Sequence, residues 1–136
     1  IVEDLLEERP TNLRAIQAAV KVLGGWAVLR NGKVVEVPGA DTEGAMDRAL
    51  VLLTTLTQIA EHEANTRDIN KFDSPDYWQA RLQFAYLLYR RAQGDPSARG
   101  KHLQLIESLK RLAPDLGESV AGKETRRIFL WLESRP

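Results

Sequence analysis

An all-α fold, built as an array of antiparallel helices, is what this sequence predicts, and three observations carry the expectation. Apolar residues recur three and four positions apart through successive segments, the period of helices with one buried face. Short turns containing Gly and Pro separate those segments, as antiparallel neighbours require. The third is compositional: 136 residues, 43% hydrophobic and 28% charged, describe a folded chain of one domain or a short run of repeats.

Composition also removes several function classes. Nineteen Lys and Arg balance nineteen Asp and Glu, so no global field draws the chain to nucleic acid or an anionic membrane. Without cysteine there is no disulfide framework, thiolate metal site or cysteine nucleophile. Two isolated histidines argue against a catalytic triad and a His-rich metal site. The longest apolar stretch, 49–53, is broken by Thr54, Thr55, Thr57 and Gln58, well short of the roughly 20 apolar residues of a membrane span. An acidic start without a following apolar run does not read as a secretory signal. The chain opens on Ile1 with what reads as the end of a helix, the expectation for a piece of a longer protein.

Val2, Leu5 and Leu6 have the spacing of a last helical turn, which Pro10 stops. A new helix starts at 10–12 and buries Leu13, Ile16, Val20 and Leu23, leaving Arg14, Gln17 and Lys21 as a polar stripe; Gly24-Gly25 ends it, with Asn31-Gly32 as the later alternative. Residues 27–38 read either as a hairpin turning on Asn31-Gly32 or as an ordered loop, because Asn-Gly supplies the positive φ angles of a tight primed turn. The second long helix, about 42–64, is capped by Asp41 or Thr42 and fills its apolar face with Met46, Ala49, Leu50, Leu53, Leu56 and Ala60. Leu52 and Ile59 widen that face, so neighbours are expected on more than one side.

Ser74-Pro75-Asp76 combines a hydroxyl cap, a first-turn proline and an acid, and so starts a third helix at 77–92 around Trp78, Leu82, Ala85, Leu88 and Ala92. By the same logic Asp95-Pro96 starts the fourth helix, which buries Leu105, Ile106, Leu109 and Leu112 and ends at Pro114. A turn at Leu116-Gly117 leads to the last helix, about 122–133, with Ile128, Phe129, Trp131 and Leu132 on its apolar side.

Aligning Pro10 with Pro75 sets Leu13 over Trp78, Ala15 over Ala80 and Leu23 over Leu88; aligning Pro10 with Pro114 sets Leu5 over Leu109. A segment beginning Tyr77-Trp78-Gln79-Ala80, turning at Gly94-Asp95 and closing on Leu109-Lys110-Arg111-Leu112-Ala113-Pro114 resembles the tetratricopeptide repeat, a two-helix unit of about 34 residues. The resemblance is clearest over 77–114. The segment departs from the family pattern in its longer turn-to-proline spacing and in Gly100, where a small residue such as Ala is usual. The resemblance implies helix pairs stacked as a short right-handed superhelix in a single domain: 1–10 the end of a preceding repeat, 11–64 a divergent interrupted one, 74–114 a repeat and 120–134 a capping helix.

It also implies a concave groove, lined by the first helices of successive pairs, that takes a protein or peptide. On the third helix the groove residues are Gln79, Gln83, Tyr86 and Arg90, spaced so that they share one face, with Arg14, Gln17 and Lys21 as the matching stripe on the first. The alternative for these stripes is a solvated helix face. Residues 1–68 hold seven basic against eleven acidic residues, a balance of −4, and 69–136 hold twelve against eight, a balance of +4. Arg90 and Arg91 open the densest basic group, which suits an acidic partner; nucleic acid is not expected, since the aromatic residues fall on the core stripe. Glu61-His62-Glu63 lacks the second histidine of a metal-binding helix, and His102 stands beside Lys101, so no metal, cofactor or catalytic residue is assigned. Trp26 reads as a packing anchor or as an exposed interface residue beside the hairpin.

The function expected is therefore a non-catalytic interaction or assembly module. The alternatives are a structural spacer or self-association segment of a larger protein, and a helical accessory domain of an enzyme whose active site lies outside this chain.

Overall fold

The computed structural model describes residues 13–40 and 42–135, and is mostly helical with one two-stranded antiparallel sheet. The expectations for 1–10, for the helix start at 10–12 and for Asp41 as a cap lie outside the described residues. In chain order the elements are α1 (Leu13–Gly24), β1 (Trp26–Arg30), β2 (Lys33–Val37), α2 (Ala45–Thr66), α3 (Pro75–Gly94), α4 (Lys101–Leu112), α5 (Glu118–Ala121) and α6 (Lys123–Glu133). Two single 3₁₀ turns, Lys71–Asp73 and Pro96–Ala98, precede α3 and α4.

Residues 27–38 form the hairpin rather than a loop. Asn31 and Gly32 take φ of 53° and 75°, the left-handed pair a primed turn needs, and the register pairs Trp26 with Val37, Val28 with Val35 and Arg30 with Lys33. The ribbon survives because β1 packs on α3 and α6, which bury Ala27, Leu29 and Val34 in part.

The seam between α1 and α2 is made of small and branched side chains: Ile16, Ala19 and Val20 face Ala49, Leu53 and Leu56, all buried. Thr57, also buried, turns its hydroxyl back to the Leu53 carbonyl at 2.9 Å, so the helix absorbs its own polar group. Helix α2 begins later than expected. Thr42 does not cap it; Gly44, in a left-handed conformation, occupies the cap position without a side-chain hydrogen bond.

Helix α3 is the centre of the molecule, packing on α2, α4, α6 and β1. Ser74 caps it as expected, accepting from the Tyr77 amide, with Pro75 in the first turn. Its buried set differs from the expected stripe: Trp78, Leu82 and Ala85 are buried, Leu88 and Ala92 are only half-buried, and Tyr86, Leu87 and Tyr89 are buried in addition. Trp78 is wholly buried, donates from Nε1 to the Phe72 carbonyl at 2.7 Å and meets Phe129 edge-on at 6.1 Å. Gly117, at φ 78°, lies so close to the Trp78 indole that any Cβ there would overlap it, which fixes glycine at the turn before α5.

Asp95-Pro96 does not start α4. Asp95 caps the separate 3₁₀ turn, accepting from the Ser97 amide at 3.0 Å, and α4 begins at Lys101 after extended Arg99 and left-handed Gly100 break the chain's path. Helix α6 packs on both α3 and α4 and closes the core with Ile128, Phe129 and Leu132. His102 is buried beneath it, its Nε2 2.9 Å from the Arg135 carbonyl oxygen and its ring edge-on to Tyr89. No helix among the described residues is long and apolar enough to cross a membrane.

Candidate functional site

Five elements line a cleft of about 280 Å³: α1, β1, α3 and α6, with Leu56 from α2. Helical spacing delivers Gln17 and Lys21 from α1 to the same wall, and Gln79, Gln83 and Tyr86 from α3 to the floor. Trp26 and Val28 enter from β1, and Glu124, Thr125 and Ile128 from α6. Val20, Leu56 and Leu82 supply the apolar depth. An apolar base with convergent amides and few charges is the ordinary make-up of a recognition pocket.

The floor is held by side-chain bonds between distant segments. Gln79 donates to the Thr125 hydroxyl at 3.1 Å, which donates in turn to the Ala121 carbonyl, tying α3 to the start of α6. Gln83 donates to the Gly25 carbonyl and so anchors the entry to the hairpin. Both glutamines keep their carbonyl oxygens free of any described partner.

Tyr86 carries the third tie. Its hydroxyl lies 3.1 Å from Glu36 Oε1 on β2 and 3.4 Å from Arg90 Nη1, so it donates to the acid and accepts from the guanidinium. Burial holds the Tyr86 pKa above the ordinary tyrosine value; the Arg90 hydrogen bond opposes that shift and the Glu36 charge supports it. On the opposite wall Lys21 Nζ stands 5.6 Å from the centre of the Trp26 ring, a cation–π contact that positions the indole at the cleft mouth.

The structure thus brings Gln17, Lys21, Gln79, Gln83 and Tyr86 to one cleft, with Arg90 behind Tyr86. Arg14 is exposed on α1 and is not part of the lining. Arg91 turns the other way, 3.6 Å from Asp47 on α2, in an exposed ion pair. Tyr86 is not the surface residue its polar neighbours imply: its ring is 1% exposed. Glu124, Thr125 and Glu36 were not legible as neighbours of the glutamines, because only tertiary packing brings α6 and β2 to α3. His62 is exposed on α2, remote in kind from buried His102.

Comparison with protein-family models, with curated proteins and with solved structures gives no match for this chain.

Proposed function

We propose that the chain is a non-catalytic interaction module of tetratricopeptide-like design, which holds an extended segment of a partner protein in the cleft between α1, β1, α3 and α6. The observation that carries this reading is the convergence of Gln17, Lys21, Gln79 and Gln83, from two helices far apart in sequence, on one apolar-based cleft. Support for the helical-repeat design comes from the consecutive pairing of α1 with α2 and α3 with α4, and from α6 lying against both members of the second pair.

The mechanism is preorganisation. The cleft walls are already tied by the Gln79–Thr125, Gln83–Gly25 and Tyr86–Glu36 bonds, so little ordering accompanies docking. Glutamine oxygens accept from the amides of the bound backbone, and a cleft of about 280 Å³ takes a bulky apolar side chain against Val20, Leu56 and Leu82. Lys21 and Glu124 at the walls set the direction of a partner segment through its charges.

Selection from a displayed random-peptide library, followed by affinity measurement on the recovered peptides, tests this. Gln17→Trp, which fills the cleft, and Lys21→Glu should each weaken binding by about tenfold or more if those residues lie in the interface centre. Peptides bound equally by both variants remove the cleft from the function.

A further inference from the structure

We propose that a second surface, the groove between the hairpin and α6, binds an extended acidic segment of a partner protein by adding it as a strand to the open edge of β2. The proposal is independent of the cleft, which lies on other residues. Three observations carry it.

The sheet ends at β2. Among the described residues it has two strands only, and β1 is the strand that packs on α3 and α6, so β2 is the outer strand. Its far edge presents backbone donors and acceptors that no described strand pairs, and Lys33-Val34-Val35-Glu36-Val37 has the β-branched composition of a pairing strand. Strand addition to such an edge is a recurring mode of peptide capture.

Beside that strand lies an open groove of about 470 Å³ lined by Leu29, Val34, Leu130 and Trp131, with Lys33 and Arg127 among them and no acid. Leu130 is one of the few large apolar side chains left substantially exposed, at 38%. Arg127 spans from α6 to the hairpin, donating to the Gly32 carbonyl at 2.9 Å, and so holds the groove's two walls in register.

The charged side chains that line the groove, Lys33 and Arg127, are both basic. Arg30 and Lys33, paired across the hairpin register, and Lys123 and Arg127, one helical turn apart on α6, form no ion pair among the described residues. By contrast Lys110, Arg111 and Arg126 all have acidic partners. Lys33 and Arg127 in the lining of an apolar groove, with Arg30 beside Lys33 in the hairpin register, complement a segment in which acids accompany apolar side chains. They repel the same face of a second copy. Trp131 is no platform for a nucleic-acid base, since the Arg135 guanidinium covers its ring at 4.4 Å and Tyr89 abuts it at 5.7 Å.

The probe is a fluorescein-labelled peptide of about ten residues alternating Glu and Val, long enough to pair along a five-residue strand. Its anisotropy is compared with that of an all-Glu peptide, a Lys/Val peptide and short oligothymidylate. The expected result is saturable binding of the Glu/Val peptide that weakens with salt and falls about tenfold or more in Lys33→Glu and in Arg127→Glu. Lys33 makes no side-chain hydrogen bond or ion pair with a described residue, so its variant tests the surface with the fold intact, as circular dichroism verifies. Equal binding of the all-Glu peptide reduces the effect to diffuse charge attraction and overturns the proposal. Tighter binding of oligothymidylate, unchanged affinity in the folded Lys33→Glu variant, or no saturable binding overturns it as well. So does a concentration-dependent dimer that Lys33→Glu abolishes, which would make the surface a self-association site.

Discussion

The two halves of this chain bury their cores with different materials. On α1 and α2 the buried apolar side chains are Ile16, Ala19 and Val20 with Ala45, Ala49, Leu53, Leu56, Ala60 and Ala64, none of them aromatic. Around α3, α4 and α6 the contacts are aromatic: Phe72, Tyr77 and Trp78 in one cluster reaching Phe129, and Tyr86, Tyr89 and Trp131 in another. A small-residue seam gains stability from close approach of backbones and is intolerant of added volume. An aromatic layer gains it from large buried rings in specific geometry and is intolerant of their loss. The cleft lies where the two meet, with α1 and the hairpin on one side and the aromatic-rich floor of α3 on the other.

That contrast can be broken from either side. Trp78→Ala should have the largest effect, about 3–5 kcal/mol lost in urea unfolding, since it empties the aromatic layer and orphans the Phe72 carbonyl. Ala49→Leu, a gain of volume in the other seam, should cost about 1–3 kcal/mol by the opposite mechanism, because Ala49 is wholly buried between α1 and α2. If Ala49→Leu is neutral, the seam is not close-packed and the contrast between the halves fails.

Tyr86→Phe should cost about 1 kcal/mol near neutral pH, the net worth of a hydrogen bond lost between α3 and β2. The sign of its pH dependence follows from the raised pKa. The contribution tied to the Tyr86 proton is complete below the unfolded-state tyrosine value and is lost as pH rises through the higher folded-state one. Wild type should therefore lose stability at alkaline pH more steeply than Tyr86→Phe, as paired thermal melts across that range would reveal. The smallest effect belongs to Arg111→Ala, less than about 0.5 kcal/mol, because its pair with Glu107 is exposed and within one helix turn.

Much of this arrangement was legible in the sequence wherever the governing interaction is local. Ser74-Pro75 starts α3, Asn31-Gly32 turns the hairpin and the apolar stripe of α2 emerges from periodicity alone, since each depends on residues within a few positions. Periodicity overreaches at the end of α4, where Leu112, expected to be buried, is exposed, and other errors arise where local signals compete. Asp95-Pro96 reads as a helix start and is spent on a 3₁₀ turn, and Thr42 yields the α2 cap position to Gly44.

The candidate site divides the same way. Gln79 and Gln83 share a face by helical arithmetic, and so do Gln17 and Lys21. That the two stripes meet across β1 and α6, and that Tyr86 reaches Glu36 some fifty residues upstream, depends on contacts no period encodes. Arg90 and Arg91 illustrate the limit within a single dipeptide: adjacent arginines in one basic group, they diverge, one to Tyr86 and the other to Asp47 on α2.

The central claim is that the cleft between α1, β1, α3 and α6 is where a partner segment docks. Hydrogen–deuterium exchange with and without a library-selected peptide addresses it most directly. The expected result is slowed exchange confined to segments around Gln17–Lys21, Trp26–Val28 and the start of α6, abolished by Gln17→Trp. Slowed exchange mapping instead to the outer surfaces of α2 and α4, or persisting unchanged in Gln17→Trp, would contradict it.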